Sequence, residues 1–399
     1  MQIAYLGIVF LVIIGLLAIR RPLYQAILGG LAVTALLYGI PLGEIARRTS
    51  MVFTKWSSLS VLLSLYLITF LQRILESRSQ IKLAQQDLNG IFHNRRINTA
   101  GASLFIGLLP SAASMILCSE IVKDATDGYL KPKEQAFVAS WFRHIPESTL
   151  PTYTAVLLML TLSGVEISQF MAGMIIPVIT LASLGYFTYL RRIPKETGTP
   201  RSQSRIRDLM HLFQHLWSLL LILVLILGLG FEVVTSVLIS IVISIAVYRV
   251  RVGEMKTMFV SAFEKKMLLN TFLVLVLKEF IAYTGVLALL PETMATLPLP
   301  TYLIFALMFF VATIISGATG AIAMGTPLAF AAIPGGMPLM VYLMCITHAA
   351  SQLSPTHVCL VVASEYFHVT LGDLVRKTLP LSLLFCVLMT VYYNILIML

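Results

Sequence analysis

A helix of roughly 20 apolar residues spans the hydrocarbon core of a bilayer. This 399-residue chain is divided almost end to end into such stretches, about ten of them. Its residues are 58% hydrophobic and only 12% charged, far outside the balance a water-solvated surface requires. Little length remains for a separate soluble domain, so the expected class is an all-α, multi-pass membrane protein.

The formal net charge of +10 would suggest a nucleic-acid partner in a soluble protein. Here Lys and Arg collect in short loops between apolar runs and act as topology signals instead, which excludes nucleic acid. The first run, 3–19, lacks a basic n-region and a small-residue cleavage site, so it is expected to be a retained helix followed by a cytoplasmic Arg20-Arg21 pair. Cys118, Cys345, Cys359 and Cys386 show no paired C-x-x-C spacing and read as small core residues.

Further spans are expected at 23–41 and 57–75, then a cytoplasmic stretch with Arg73, Arg78, Lys82, Arg95 and Arg96. A broken apolar region at 99–117, interrupted at Gly107 and Pro110, is too irregular to cross. Spans at 136–162 and 165–190 follow, and a basic, Pro- and Gly-containing linker at 191–208. The layout then recurs, with spans at 209–229, 232–249 and 268–290, a broken region at 300–335, and spans at 337–363 and 377–399. The chain thus divides into a first half, 1–190 (scaffold helices 1–98, hairpin and broken helix 99–190), the linker 191–208, and a second half, 209–399 (209–299 and 300–399). If each broken region enters and leaves by one side, each half crosses five times and the second is inverted relative to the first. Arg47, Arg48 and Lys55 fall on the wrong side of this scheme, and 43–56 is read as an interfacial amphipathic segment.

Self-similarity supports two halves independently of hydropathy. His144-Ile-Pro-Glu-Ser-Thr-Leu-Pro151-Thr152 and His348-Ala-Ala-Ser-Gln-Leu-Ser-Pro355-Thr356 both read His, six residues, Pro-Thr. Pro146, Pro151 and Pro355 remove backbone donors and should break their helices within the membrane. Unwound backbone is tolerated there only if it is buried in protein or lines a cavity. Paired interruptions in two halves point to a transporter's binding site. Ser148, Thr149 and Thr152 at one break, and Ser351, Gln352, Ser354 and Thr356 at the other, supply neutral oxygens and donors. Pro110, Ser111 and Ser114 at the first hairpin and Gly325 and Thr326 at the second complete the expected solute-binding set.

The breaks at 146–152 and 351–357, with the paired hairpins, resemble those of the ion transporter superfamily. Within it, Trp141-Phe-Arg-His144 and Leu353-Ser-Pro-Thr-His357 are most similar to the prokaryotic domain-of-unknown-function 401 (DUF401) family. The resemblance implies two inverted repeats with re-entrant hairpins, a homodimer, a scaffold with a mobile transport domain working as an elevator, and residence in a prokaryotic inner membrane. It implies no particular solute. The Ser-Asn-Thr or Ser-Asn-Pro sodium motifs of its dicarboxylate branch are replaced by Glu147-Ser148-Thr149 and Gln352-Leu353-Ser354.

Ionisable groups inside spans are costly and usually functional. Arg143 suits a carboxylate ligand, a pair with Glu147 one turn on, or a snorkelling surface position. His144, His348 and His357 suit proton carriage or plain buried hydrogen bonding. Glu147 is the preferred coupling carboxylate, and Lys278-Glu279 reads as a buried ion pair. Sodium, if used, is expected at Ser148, Thr149, Ser351 and Ser354, and no cofactor is expected. The reading is a secondary transporter of a small anionic solute, driven by H⁺ or Na⁺. An intramembrane enzyme lacks H-E-x-x-H and G-x-S-x-G signatures here, and an anion channel would show no saturable exchange. Cysteines introduced singly at positions 201 and 295 should label from opposite membrane faces; labelling from the same face would rule out the inversion.

Overall fold

The computed structural model describes all residues except 20, 81–82, 85–86, 88–93, 108–111, 197–203, 297 and 399. Every regular element among them is helical. Six stretches are long and apolar enough to cross a membrane: Trp56–Ser77, Ile167–Arg192, Ile206–Gly228, Lys265–Thr284, Thr301–Ala332 and Leu371–Leu396. Shorter apolar helices, such as Leu23–Leu37 and Val233–Val247, stand between them. Leu36, Ile176, Val242 and Val387 point outward, as lipid contact demands of a helix whose other face packs.

The opening helices are α1 (Gln2–Ala18), α2 (Leu23–Leu37), α3 (Leu42–Thr54) and α4 (Trp56–Ser77). Next come α5 (Arg95–Ile106), α6 (Ala112–Thr126), α7 (Pro132–His144), α8 (Thr154–Ser163), α9 (Ile167–Gly173) and α10 (Ile175–Thr188). After the basic segment follow α11 (Arg205–Leu223), α12 (Val233–Val247), α13 (Val252–Ser261), α14 (Lys265–Thr284) and α15 (Leu290–Ala295). The chain ends with α16 (Thr301–Ala332), α17 (Gly336–Ser351), α18 (Val358–Tyr366) and α19 (Leu371–Leu396).

Packing follows a reciprocal pattern. Helix α4 packs on α12, α13 and α14, whereas α14 packs on α2, α3 and α4. Helices α5 and α6 pack on α7, and α6 also on α18. In the same manner, α16 packs on α17 and on α8. The hairpin segments therefore touch the helix before the break in their own half and the helix after the break in the other.

Helix α16 is long enough to cross, yet it is two arms. At Gly317 the backbone has φ 77° and ψ 168°, a conformation essentially restricted to glycine. Phe309 and Gly325, equidistant from it, are in contact: a Cβ on Gly325 would lie 2.3 Å from the Phe309 ring. In an unbroken helix those 16 residues would separate them by about 24 Å along the axis. The broken region expected at 300–335 is thus a helical hairpin turning at Gly317.

One charge expectation is corrected. Lys278 and Glu279 do not pair, because neighbours on a helix point about 100° apart. Glu279 is bound by Lys55, at 2.7 and 2.8 Å, while Lys278 Nζ donates to the Thr161 carbonyl at 3.3 Å. Lys55, whose side chain remains 42% exposed, thereby ties the α3–α4 corner to α14. Amphipathic α3 retains Arg47 and Arg48 on Glu44. At the opposite end of α4, Arg78 donates to Glu254 at 2.8 Å, and that hydrogen bond holds the exposed Glu254 carboxyl below the usual carboxylate range.

Replacing Gly317 by Ala should cost about 1–3 kcal/mol through backbone strain alone. Thermal unfolding of the detergent-solubilised variant checks this, with a lowered midpoint expected; a midpoint equal to the parent's would contradict the hairpin turn.

Candidate functional site

Helix α7 is buried from Glu134 to His144, so it runs through protein and not along lipid. Pro146 ends it. A single 3₁₀ turn, Pro146–Ser148, follows, and helix restarts only at Thr154. The carbonyls this releases are met locally: Ser148 Oγ and Thr149 Oγ1 both donate to the Ile145 carbonyl at 3.2 Å. Those two hydroxyls serve the backbone first. Thr152 Oγ1 is buried with no hydrogen-bond partner among the described residues.

The second break begins after α17, whose last three turns are buried throughout. Ser351 Oγ donates to the His348 carbonyl at 2.8 Å. Ser354 Oγ donates to the Ile314 carbonyl at 2.9 Å and lies 2.8 Å from Thr356 Oγ1. Ile314 stands one turn before Gly317, so Ser354 satisfies an acceptor that the hairpin turn frees. Thr356, itself exposed, approaches the turn, 3.8 Å from where a Cβ on Gly317 would stand.

The two breaks meet. Ser140 Oγ donates to Gln352 Oε1 at 3.3 Å, and the rings of His144 and His357 cross edge to face with centroids 4.6 Å apart. Glu147, half-buried, lies among them: its Oε2 is 3.4 Å from Arg143 Nη1 and 3.6 Å from His144 Nε2, and its Oε1 is 3.8 Å from His357 Nε2. Arg143 is almost completely buried, so its snorkelling alternative is excluded. It also donates to Ser114 Oγ at 3.0 and 3.3 Å, which brings α6 into the cluster. Charges buried at this depth persist only when paired and hydrogen-bonded, and both conditions are met here.

Not every expected residue joins. Gly325 and Thr326 lie down the outgoing arm of α16, where Gly325 packs on Phe309 of the incoming arm and Thr326 Oγ1 meets Met159 Sδ of α8 at 3.6 Å. His348 sits one turn before its break, with its ring edge toward Phe385 and Nε2 buried without a partner among the described residues. Pro110 and Ser111 lie outside the described residues.

Sequence reasoning missed Ser140, Tyr153 and Cys359. Ser140 is one turn before His144, a spacing that places both on one helix face. Tyr153 donates its hydroxyl to the Gly107 carbonyl, satisfying the backbone where α5 ends. Cys359 was expected only to pack, but its sulfur lies within 4.8 Å of ligand atoms on His144 and His357. The two-residue step from His357 was its one visible signal.

Gly107 is pressed against the end of α7: a Cβ there would lie 2.2 Å from the Arg143 carbonyl. Neither backbone can retreat without disturbing Tyr153 or Arg143. Gly107→Ala should therefore lower the thermal midpoint clearly, with a cost on the order of 1–3 kcal/mol, whereas Gly43→Ala, where nothing lies within 4 Å, should leave it near the parent's.

A family model described as protein of unknown function (DUF401) matches residues 4–396. Curated proteins yield no match. Among solved structures, the chain is similar to the YdaH transporter of Alcanivorax borkumensis, whose crystal structure is described as revealing an unusual topology. The two share 14% sequence identity and superpose with a TM-score of 0.59 over 89% of each chain. At that identity the likeness is one of fold.

Proposed function

This chain belongs to the DUF401 family, and on that premise we propose that it is a secondary active transporter of a small organic anion, coupled to H⁺ or Na⁺. The observation that carries the reading is the cluster around Glu147, assembled from helix breaks that lie about 200 residues apart in the chain. A fold shared with a transporter supports it.

Local electrostatics favours an anionic solute. Helices α8 and α18 both start at the breaks, and neither Tyr153 nor His357 caps its helix with a side-chain hydrogen bond. The partial positive charge of two helix N-termini at the breaks adds to that of Arg143. Glu147 with His144 and His357 forms a group able to take up a proton, which favours H⁺ as the coupling ion. The hydroxyls of Ser148, Thr149, Ser351 and Ser354 are directed at three separate carbonyls, an arrangement that suits a sodium cage less well.

The reciprocal packing of α4 with α14, and of each hairpin with both halves, is what an inverted duplication produces. In this reading the membrane-re-entrant hairpins and broken helices form a transport domain that slides as an elevator against α1–α4 and α11–α14. A homodimer would hold the scaffold still; the apolar groove between α3–α4 and α13–α14, where Phe53, Phe259 and Phe263 are exposed, is its proposed contact. The membrane is proposed to be a prokaryotic inner membrane.

Thermal-shift measurement against organic acids, with and without Na⁺ at several pH values, should identify a stabilising solute. In proteoliposomes loaded with that solute, counterflow should be saturable and should fall by about tenfold or more in Glu147→Gln and Ser354→Ala, the scale of losing an interaction worth at least 1.4 kcal/mol. Undiminished counterflow in both variants would displace the site; flux that never saturates would favour a channel.

A further inference from the structure

We propose that His144, His357 and Cys359, together with the Glu147 carboxylate, bind a divalent transition-metal ion of the Zn²⁺ class where the two helix breaks meet. This goes beyond the transport reading and does not depend on it.

The donor atoms of the two histidines and the cysteine lie within 4.8 Å of one another in a buried setting. Each histidine is oriented by its other nitrogen. His144 Nδ1 donates to the Ser140 carbonyl at 2.6 Å and His357 Nδ1 to the Ser351 carbonyl at 3.2 Å. A carbonyl can only accept, so in the neutral ring the hydrogen sits on Nδ1 and the lone pair on Nε2. Fixing the tautomer through a backbone carbonyl is how metal-binding histidines are held.

Both lone pairs are aimed near the same carboxylate. His144 Nε2 is 3.6 Å and His357 Nε2 is 3.8 Å from the nearer Glu147 oxygen, beyond hydrogen-bonding distance. His144 is fully buried, and its Nε2 has no hydrogen-bond partner among the described residues. Lone pairs facing a carboxylate repel one another unless a cation lies between them. Donors around a tetrahedral Zn²⁺ with bonds of about 2.0–2.3 Å stand roughly 3.3–3.8 Å apart. The two carboxylate separations fall in that range, and the other donor separations, none above 4.8 Å, would close by small side-chain rotations.

The ligand chemistry selects the ion. Two imidazoles and a thiolate favour borderline-soft Zn²⁺ or Co²⁺ over Na⁺, Mg²⁺ or Ca²⁺, which prefer oxygen. The thiolate and carboxylate would balance the charge of a dication, leaving the Arg143 guanidinium beside Glu147 as the net positive charge of the loaded cluster. Because His144 and Glu147 belong to one break and His357 and Cys359 to the other, a bound ion would fasten the two breaks together.

The test uses purified full-length protein in detergent, stripped with a chelator and titrated with Co²⁺. About one equivalent should give a thiolate-to-cobalt charge-transfer band that Zn²⁺ abolishes, and Zn²⁺ but not Mg²⁺ or Na⁺ should raise the thermal midpoint. Cys359→Ser should remove the band, and His357→Gln should weaken Zn²⁺ binding by about tenfold or more. In the parent protein, Zn²⁺ should protect Cys359 from alkylation, a reading that needs no variant to fold. Absence of the band, or Zn²⁺ binding unchanged in Cys359→Ser and so located elsewhere, such as at His211 and His215 beside Asp87, would overturn the proposal. Stabilisation that follows pH alone would likewise assign the cluster to protons. Counterflow measured on the same chelated and reloaded samples separates the two ideas: transport without metal binding sinks only the metal site, and metal binding without transport sinks only the carrier.

Discussion

A helix cannot stop inside hydrocarbon without leaving carbonyls and amides that nothing there can satisfy. This chain stops four described helices in its interior, at Ile106, at His144, at Gly317 and at Ser351. Each stop is tolerable because other side chains meet the released groups. Ser148 and Thr149 serve the Ile145 carbonyl, Ser354 serves Ile314, and Tyr153 serves Gly107. Two of these bonds cross between segments far apart in sequence, so the breaks cannot form independently of the packing around them.

Once such backbone is buried, its polar atoms make the neighbourhood more hospitable to charge. Arg143 and Glu147 sit one helical turn apart, and the guanidinium is further held by Ser114. Removing either partner would strand the other in a site of low polarity, a situation costing several kcal/mol. A pairing this expensive to maintain persists where charge is used. The proposed solute, proton and metal binding would all draw on the same few atoms, which is why their separate readouts matter.

Small residues set the distances. Gly107 lets the first hairpin abut the end of α7, and Gly325 lets the two arms of α16 close on Phe309. Gly107 abuts the Arg143 backbone and Gly325 lies away from the charged cluster, yet both govern how near the hairpins come to it. At Gly325 the smallness expected of a solute-binding hairpin is taken up by close packing of the two arms.

Local sequence alone determined a good deal. Hydropathy, proline positions and the twice-used His-x6-Pro-Thr pattern disclosed the helical class, the places where helices break and the candidate status of Arg143, His144, Glu147 and His357, because helix periodicity and proline geometry are properties of a few consecutive residues. Tertiary structure decided the partners. That Glu279 takes Lys55 instead of its neighbour, that Ser354 serves Ile314, and that Cys359 joins two histidines depends on which helices come to lie side by side. Side-chain direction and interhelical distance arise from packing across the whole chain, and no local pattern encodes them.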